Sequence, residues 1–241
     1  MEGAFNFRDL GGYPTTDGRT TKWRTLFRSD GLGELSDTDL ECLRAIGLRR
    51  VIDLRLEREI AERGRFPVDK HAVEFHHLSI LDQTWDNFGE DIKRLPVTEF
   101  LHRAYSSMLR DGAPKFVEAF HLLGSPDALP AVFHCAAGKD RTGILAVLVL
   151  GALGVERESI VADYALTSRA MSSILARLSS NPERAAKISQ APPSFFAADG
   201  DAIRLLLDDI ERTHGSVRAM VLAFGVDEAS LVRLEEHLLV G

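Results

Sequence analysis

A chain of 241 residues is long enough for one large domain with a substantial core, and its 45% hydrophobic and 27% charged residues give the balance of an ordinary water-soluble domain. A formal charge of −7 argues against nucleic acid as the main partner, because phosphate backbones are bound by basic surfaces. The longest apolar run, Ile144 to Val155, is too short to span a bilayer and reads as a buried helix, so no integral membrane segment is expected.

The start, MEGAFNFRDLGG, lacks a basic segment followed by an apolar core, so no signal peptide is expected. Cys42 and Cys135 are too few for a disulfide framework, which suits a reducing, cytoplasmic setting. From Phe5 to Arg28 the chain is rich in Gly, Thr and aromatic residues, and GGYPTTDGRTT carries turn signals. Irregular structure with a short hairpin is expected there, ending in a strand at TLFRS. Ser36 is placed to N-cap a helix carrying Leu40, Leu43 and Ile46 at helical spacing, with Gly47 as its stop. Cys42 lies inside this helix and reads as a core or near-core residue. RRVIDLR and AVEFHHLSI read as strands, Thr98–Arg110 and Pro114–Leu123 as helices, and LPAVFHC as a further apolar strand. From Arg141 onward the reading is almost entirely helical.

Strands alternating with helices predict an α/β fold, a central parallel-type sheet flanked by helices, with extra helices at the C-terminus. A single domain over residues 1–241 is expected. The helices between Ser168 and Gly200, interrupted by SSNPE and APPSFFAADG, read as a lid-like insertion at the carboxyl edge of the sheet.

The chemistry concentrates in VFHCAAGKDRTGI, which reads as strand, tight turn and helix. Gly138 permits backbone angles and approaches that a Cβ would obstruct. The turn feeds the N-terminus of a helix starting near Arg141, so its N–H groups and the positive helix end form a concave anion site. Cys135 sits at the base of that concavity, where the donors that attract phosphate also favour a thiolate. Thr142 is close enough in the chain to offer its hydroxyl to the sulfur. Five residues separate Cys135 from Arg141, so the loop can curl and bring a bidentate, permanently charged fork over the sulfur. A nucleophile beneath an anion held by amides and an arginine is a phosphoryl-transfer site, proceeding through a cysteinyl-phosphate that water hydrolyses. Ala136, Ala137, Gly138, Lys139, Asp140, Arg141 and Thr142 are its phosphate-binding residues. No metal and no cofactor is required.

HCAAGKDRTG resembles the signature loop of the cysteine-dependent protein tyrosine phosphatase superfamily, in which His-Cys and five residues precede Arg and then Ser or Thr. Its Gly-Lys-Asp-Arg-Thr-Gly wording is similar to a bacterial branch with tyrosine, dual-specificity and phosphoinositide phosphatase members. NFRDLGG, LFRSDGL, VIDLR followed by Glu59, DYALT and the C-terminal helices extend the resemblance. It implies Cys135 as nucleophile, Arg141 as phosphate clamp and Thr142 as thiolate partner. The substrate it implies is a phosphorylated protein or, alternatively, a phosphoinositide.

The general acid has several candidates. Many superfamily members use an aspartate on an upstream loop, which here leaves Asp82, Asp86 and Asp91. The resembling branch implicates an aspartate inside the loop, matching Asp140. Asp53, at the end of the VIDLR strand, also faces the site. Asp140 is preferred, with Asp53 second and Asp86, beside Trp85, third. The bland alternative for Asp140 is a salt bridge that holds the loop. Lys139 offers a second cation at the rim, useful to a substrate with more than one phosphate. Arg8, Asp9 and Arg28 are expected to fix the N-terminal segment, Arg55 to pair with Asp53, and His134 to orient the loop. Arg169, Arg177, Arg184 and Lys187 either face a substrate from the lid or form a solvated face.

Three other readings of the loop fail. A nucleotide-binding loop needs Ser or Thr after the lysine, where Asp140 stands. Sulfurtransferase loops differ in length, and arsenate-reducing enzymes need further redox cysteines. A non-catalytic phosphate-binding module typically lacks the cysteine or the arginine, and both are present.

Overall fold

The computed structural model describes residues 1–80 and 89–241. In chain order it runs β1 (Arg8–Asp9), β2 (Thr20–Thr21), β3 (Leu26–Ser29), α1 (Asp37–Ala45), β4 (Arg50–Asp53), α2 (Glu57–Arg63) and β5 (Glu74–His77). After the undescribed stretch come α3 (Glu90–Lys93), α4 (Val97–Asp111), α5 (Ala113–Leu123), β6 (Ala131–His134) and α6 (Asp140–Ala152). The remainder is α7 (Arg157–Ala165), α8 (Ser168–Leu178), α9 (Pro182–Gln190), α10 (Gly200–His214), α11 (Val217–Phe224), α12 (Glu228–Leu238) and β7 (Leu239–Val240).

Five strands form one sheet in the order β1-β3-β6-β4-β5. The inner pairings are parallel, and β1 joins the edge antiparallel to β3. Successive residues on a strand point to opposite faces, and each central strand feeds two cores accordingly. Leu26, Ile52, Ala131 and Phe133 enter the larger core beneath α4 to α7 and α10 to α12. Phe27, Val51 and Val132 face the smaller one, closed by Leu40 and Leu43 of α1 with Phe66. α6 is apolar and buried on nearly all sides, as befits a helix wedged between sheet and outer helices.

The parallel register brings three strand ends to one edge. Ser29 and Asp53 both stand opposite His134. The loops that follow these strands therefore converge at the carboxyl edge, where open α/β sheets bind ligands. Local signals behave as expected in α1, where Ser36 and Asp39 form a reciprocal capping box and Gly47 follows the helix at φ +72°.

Two expectations change, and the expected hairpin is present. Thr21 N donates to Tyr13 O and Thr15 N to Arg19 O, each at 2.9 Å, and Thr20–Thr21 pairs in addition with Leu239–Val240 at the far end of the chain. AVEFHHLSI keeps only Glu74–His77 as strand. Cys42 is exposed, on the solvent side of α1, because Leu40 and Leu43 occupy the core-facing stripe. Among the described residues, no helix is long and apolar enough to cross a membrane.

Candidate active site

The loop from Cys135 to Lys139 links β6 to α6. Its carbonyls are turned outward and captured. Gly31 N donates to Ala136 O at 3.2 Å. Asn6 Nδ2 donates to the carbonyls of Ala137 and Gly138 at 3.0 and 3.1 Å, and Arg28 Nη2 donates to Gly138 O at 2.7 Å. The N–H groups of Ala136, Ala137 and Gly138 have no acceptor among the described residues. A ring of amides without acceptors, set at the first turn of a thirteen-residue helix, is a cradle for an anion. Gly138 makes the turn possible: its φ is +65°, and a Cβ there would lie 2.5 Å from Ser29 O.

Behind the loop, Asp163 of α7 joins the segments that hold it. It accepts from Arg8 Nε at 2.7 Å, from Arg28 Nη1 at 2.5 Å and from Tyr13 Oη at 3.1 Å. Burial pushes the Asp163 carboxyl up, but the Arg28 and Arg8 guanidiniums outweigh it and hold the group below its ordinary value. Arg8 also donates to Asn6, so one buried network ties the loop to β1, β3 and α7.

Cys135 is 2% exposed at the base of the loop. Arg141, on the first turn of α6, donates through both terminal nitrogens to the Glu59 carboxylate on α2, with Nη2 to Oε1 at 2.9 Å. Glu59 also accepts from Leu56 N at 2.8 Å, which locks it to the start of its own helix. Burial raises the Glu59 carboxyl, but the hydrogen bonds and charge of Arg141 hold it below its usual range. Burial works against the Arg141 cation, yet Glu59 and Cys135 hold its pKa above the ordinary arginine value. The fork is thus fully charged and fixed in direction.

A match to the tyrosine phosphatase family spans residues 1–240. The chain is 30% identical to the triple specificity protein phosphatase PtpB of Mycobacterium tuberculosis, over 99% of this chain and 98% of that one. The chain belongs to the tyrosine phosphatase family. It is likewise 27% identical to a tyrosine-protein phosphatase of Nostoc commune, over 88% of this chain and 73% of that one. The catalytic core of the PP-IP phosphatase SIW14 from S. cerevisiae aligns at a TM-score of 0.38, with 12% identity over 65% of this chain and 78% of that one. The chain is a cysteine-dependent phosphatase.

Within this phosphatase the charged residues of the loop stand differently from expectation. The Lys139 side chain is 1% exposed, and its ammonium donates to Phe195 O at 2.6 Å and Ala197 O at 2.8 Å. Burial lowers its pKa, and Asp140, 3.4 Å from Nζ, acts in the opposite direction. The cation expected at the rim therefore points inward and pins the segment before α10. Asp140 keeps a partly exposed carboxylate, which accepts from the buried Tyr105 hydroxyl at 2.7 Å. Tyr105 in turn touches the Tyr164 hydroxyl.

Asp53 is fully buried and its carboxylate is already engaged. Arg55 Nε lies 2.9 and 3.1 Å from its two oxygens, and Arg55 Nη2 donates to Oδ2 at 2.6 Å. Burial raises the Asp53 carboxyl, but His134 and Arg55 outweigh it and hold it below its ordinary value. A carboxylate so held is a poor proton donor, so Asp53 does not suit the acid role and serves the strand-end ion pair. His134 Nδ1 lies 3.2 Å from Cys135 O, an arrangement that orients the loop. The Thr142 hydroxyl is buried with no hydrogen-bond partner among the described residues. Asp91 is exposed on α3, and Asp82 and Asp86 lie outside the described residues.

Sequence reasoning gave no role to Glu59, Asp163, Asn6, Tyr105 or Tyr164. Signals for most of them were present, since NFRD, DYALT and the glutamate after VIDLR all belong to the matching segments. Tyr105, inside a helix with a regular apolar stripe, had none.

Proposed function

We propose that the phosphatase hydrolyses phosphate monoesters on proteins by attack of the Cys135 thiolate on phosphorus. The transferring group is held by the amides of Ala136, Ala137 and Gly138, by the neighbouring amides of Lys139, Asp140 and Arg141, and by the Arg141 fork. The thiolate–phosphorus bond forms as the bond from phosphorus to the leaving oxygen breaks. Asp140 delivers a proton to that oxygen, and water then cleaves the cysteinyl-phosphate to release inorganic phosphate. Thr142 offers its hydroxyl to the sulfur as the thiol is regenerated. The helices over residues 168–200 act as a cover for the site.

The observation that carries this reading is the outward capture of the loop carbonyls, which leaves the amides above Cys135 free to bind an anion. Support for the cover comes from Ala170, Met171 and Ile174 of α8, which pack against Ala137 of the loop. The name of the M. tuberculosis relative, a triple specificity protein phosphatase, supports acceptance of more than one kind of phosphorylated residue. A cytoplasmic setting accompanies the reading. The test is hydrolysis of p-nitrophenyl phosphate without added metal, with orthovanadate as inhibitor. Turnover blocked by orthovanadate is expected, and absence of both would defeat the reading.

A further inference from the structure

Two buried phenols stand behind the charged end of the phosphate loop, and no step above uses them. Tyr105 of α4 and Tyr164 of α7 are both 0% exposed, and their rings meet edge to face at 5.9 Å. The Tyr164 ring is also wedged against the first turn of α6, where a Cβ on Gly143 would lie 3.0 Å from it. A tyrosine hydroxyl taken out of water needs a partner. Paired only with each other, the two would leave one hydroxyl hydrogen without an acceptor, and that hydrogen goes to Asp140. Tyr105 Oη donates to Asp140 Oδ1 at 2.7 Å while touching the Tyr164 hydroxyl. Burial pushes both phenols well above their ordinary range, so they stay donors throughout the neutral region.

Each phenol carries one hydroxyl hydrogen. Tyr105 gives its own to Asp140, so Tyr164 donates to the Tyr105 oxygen, and the row points from Tyr164 through Tyr105 to the carboxylate. Lys139 approaches the same carboxylate oxygen, with Nζ 3.4 Å from Oδ1. Oδ2 takes no hydrogen bond among the described residues, and the side chain is 23% exposed. A carboxylic acid donates from one oxygen and accepts on the other. With Oδ1 occupied by a donor and faced by a cation, the proton belongs on Oδ2. The other charges at this end of the loop are Arg141, which feels the Asp140 charge, and Cys135, which acts on Lys139 and Arg141. Asp199 and Arg28 act on Tyr164 in opposite directions.

We infer that Tyr105, held by Tyr164, is a positioning residue for Asp140: it fixes Oδ1 as the acceptor and leaves Oδ2 to carry the proton that reaches the leaving oxygen. The inference rests on the reading of Asp140 as the acid. In the first step the Oδ2–H bond breaks, and the proton passes to the leaving oxygen as that oxygen parts from phosphorus. The charge left on Asp140 is met by the Tyr105 hydroxyl and the Lys139 ammonium. In the second step the carboxylate takes a proton from the water that attacks the cysteinyl-phosphate. Neither tyrosine gains or loses a proton.

The test measures kcat/KM against pH for a leaving-group series of aryl phosphates, with the wild type, Tyr105→Phe, Tyr164→Phe, Asp140→Asn and the double variant Tyr105→Phe/Asp140→Asn. Phenylalanine keeps the ring and its packing and removes only the hydroxyl. Tyr105→Phe should lower kcat/KM for poor leaving groups roughly 10-fold, the net worth of one hydrogen bond, with a loss that shrinks as the leaving group improves. A hydrogen bond to the carboxylate favours it over the acid, so without the hydroxyl the alkaline limb of the profile should move up by about one pH unit. Tyr164→Phe should show the same pattern more weakly. In the Asp140→Asn background, removal of the Tyr105 hydroxyl should cost less than about twofold, because the group it acts through is gone. A loss equal across the series, an alkaline limb that does not move, or a full further loss in the double variant overturns the inference. So does an unaffected Tyr105→Phe beside an Asp140→Asn that slows poor leaving groups, a result that leaves the acid reading standing. A flat series for Asp140→Asn removes that reading and the tyrosine role with it. Should Tyr105→Phe fail to fold, Tyr164→Phe, alone and combined with Asp140→Asn, decides by the same criteria.

Discussion

Replacing Asp163 by alanine tests how the phosphate loop is held. The carboxylate is 1% exposed and sits between Arg28, fully buried, and Arg8, with Tyr13 as a third donor. Its removal leaves two like charges together with no counter-ion. Breaking a buried pair in this way costs about 3–5 kcal/mol. For a chain of this size each kcal/mol corresponds to about 2–4 °C, so melting should fall by roughly 6–20 °C. Arg28 also donates to Gly138 O, so the loss should reach the loop and weaken phosphate binding. Asp163→Asn, which keeps the shape but not the charge, should fall between the wild type and Asp163→Ala. The pH dependence has a definite sign. Asp163 is held below its ordinary value, so its contribution is complete above about 3.9 and drains away as pH falls through the lower folded-state value. Differential scanning calorimetry and phosphate titration measure both effects. A loss below about 3 °C with unchanged phosphate affinity would refute the claim that this cluster anchors the loop.

Asp140→Asn should slow aryl phosphates with poor leaving groups by roughly 10²- to 10⁴-fold while leaving good ones nearly unchanged; an equal loss across a leaving-group series would remove the acid role from this residue. Glu59→Gln should raise KM for p-nitrophenyl phosphate roughly tenfold with little change in kcat, since the Arg141 fork loses a charged partner. The wild-type carboxylate is held low, so its pairing should persist above about 4.3 and weaken only as pH falls below that, which a KM–pH profile would reveal. Gly138→Ala should cost roughly 2–5 kcal/mol in transition-state stabilisation, combining the left-handed backbone with a backbone clash at Ser29. Wild-type kcat/KM in that variant would contradict the tight turn described above.

The loop itself was legible because its chemistry is compressed into consecutive residues, where spacing alone brings Cys135, the amides and Arg141 together. The short strands at LFRS, RVID and AVFH, alternating with helical segments along the chain, likewise announced a parallel-type sheet covered on both faces. Long-range partnerships were not legible. Nothing in the local sequence says that Glu59 meets Arg141 across 82 positions or that Asn6 reaches Gly138 across 132. Lys139 shows the limit most plainly. A lysine inside a phosphate loop reads as a phosphate ligand, yet two carbonyls near residue 196 compete for its ammonium and hold it. Asp53 follows the same logic, since its neighbour Arg55 consumes the carboxylate that would otherwise face the cleft.

The nucleophile is tested most directly by rapid quench of the phosphatase during turnover of a ³²P-labelled aryl phosphate, followed by peptide mapping. The expected result is an acid-stable phosphate on the peptide containing Cys135, absent from Cys135→Ser, which should still bind inorganic phosphate through the amides and Arg141. Label on any other residue, or turnover retained by Cys135→Ser, would contradict the account.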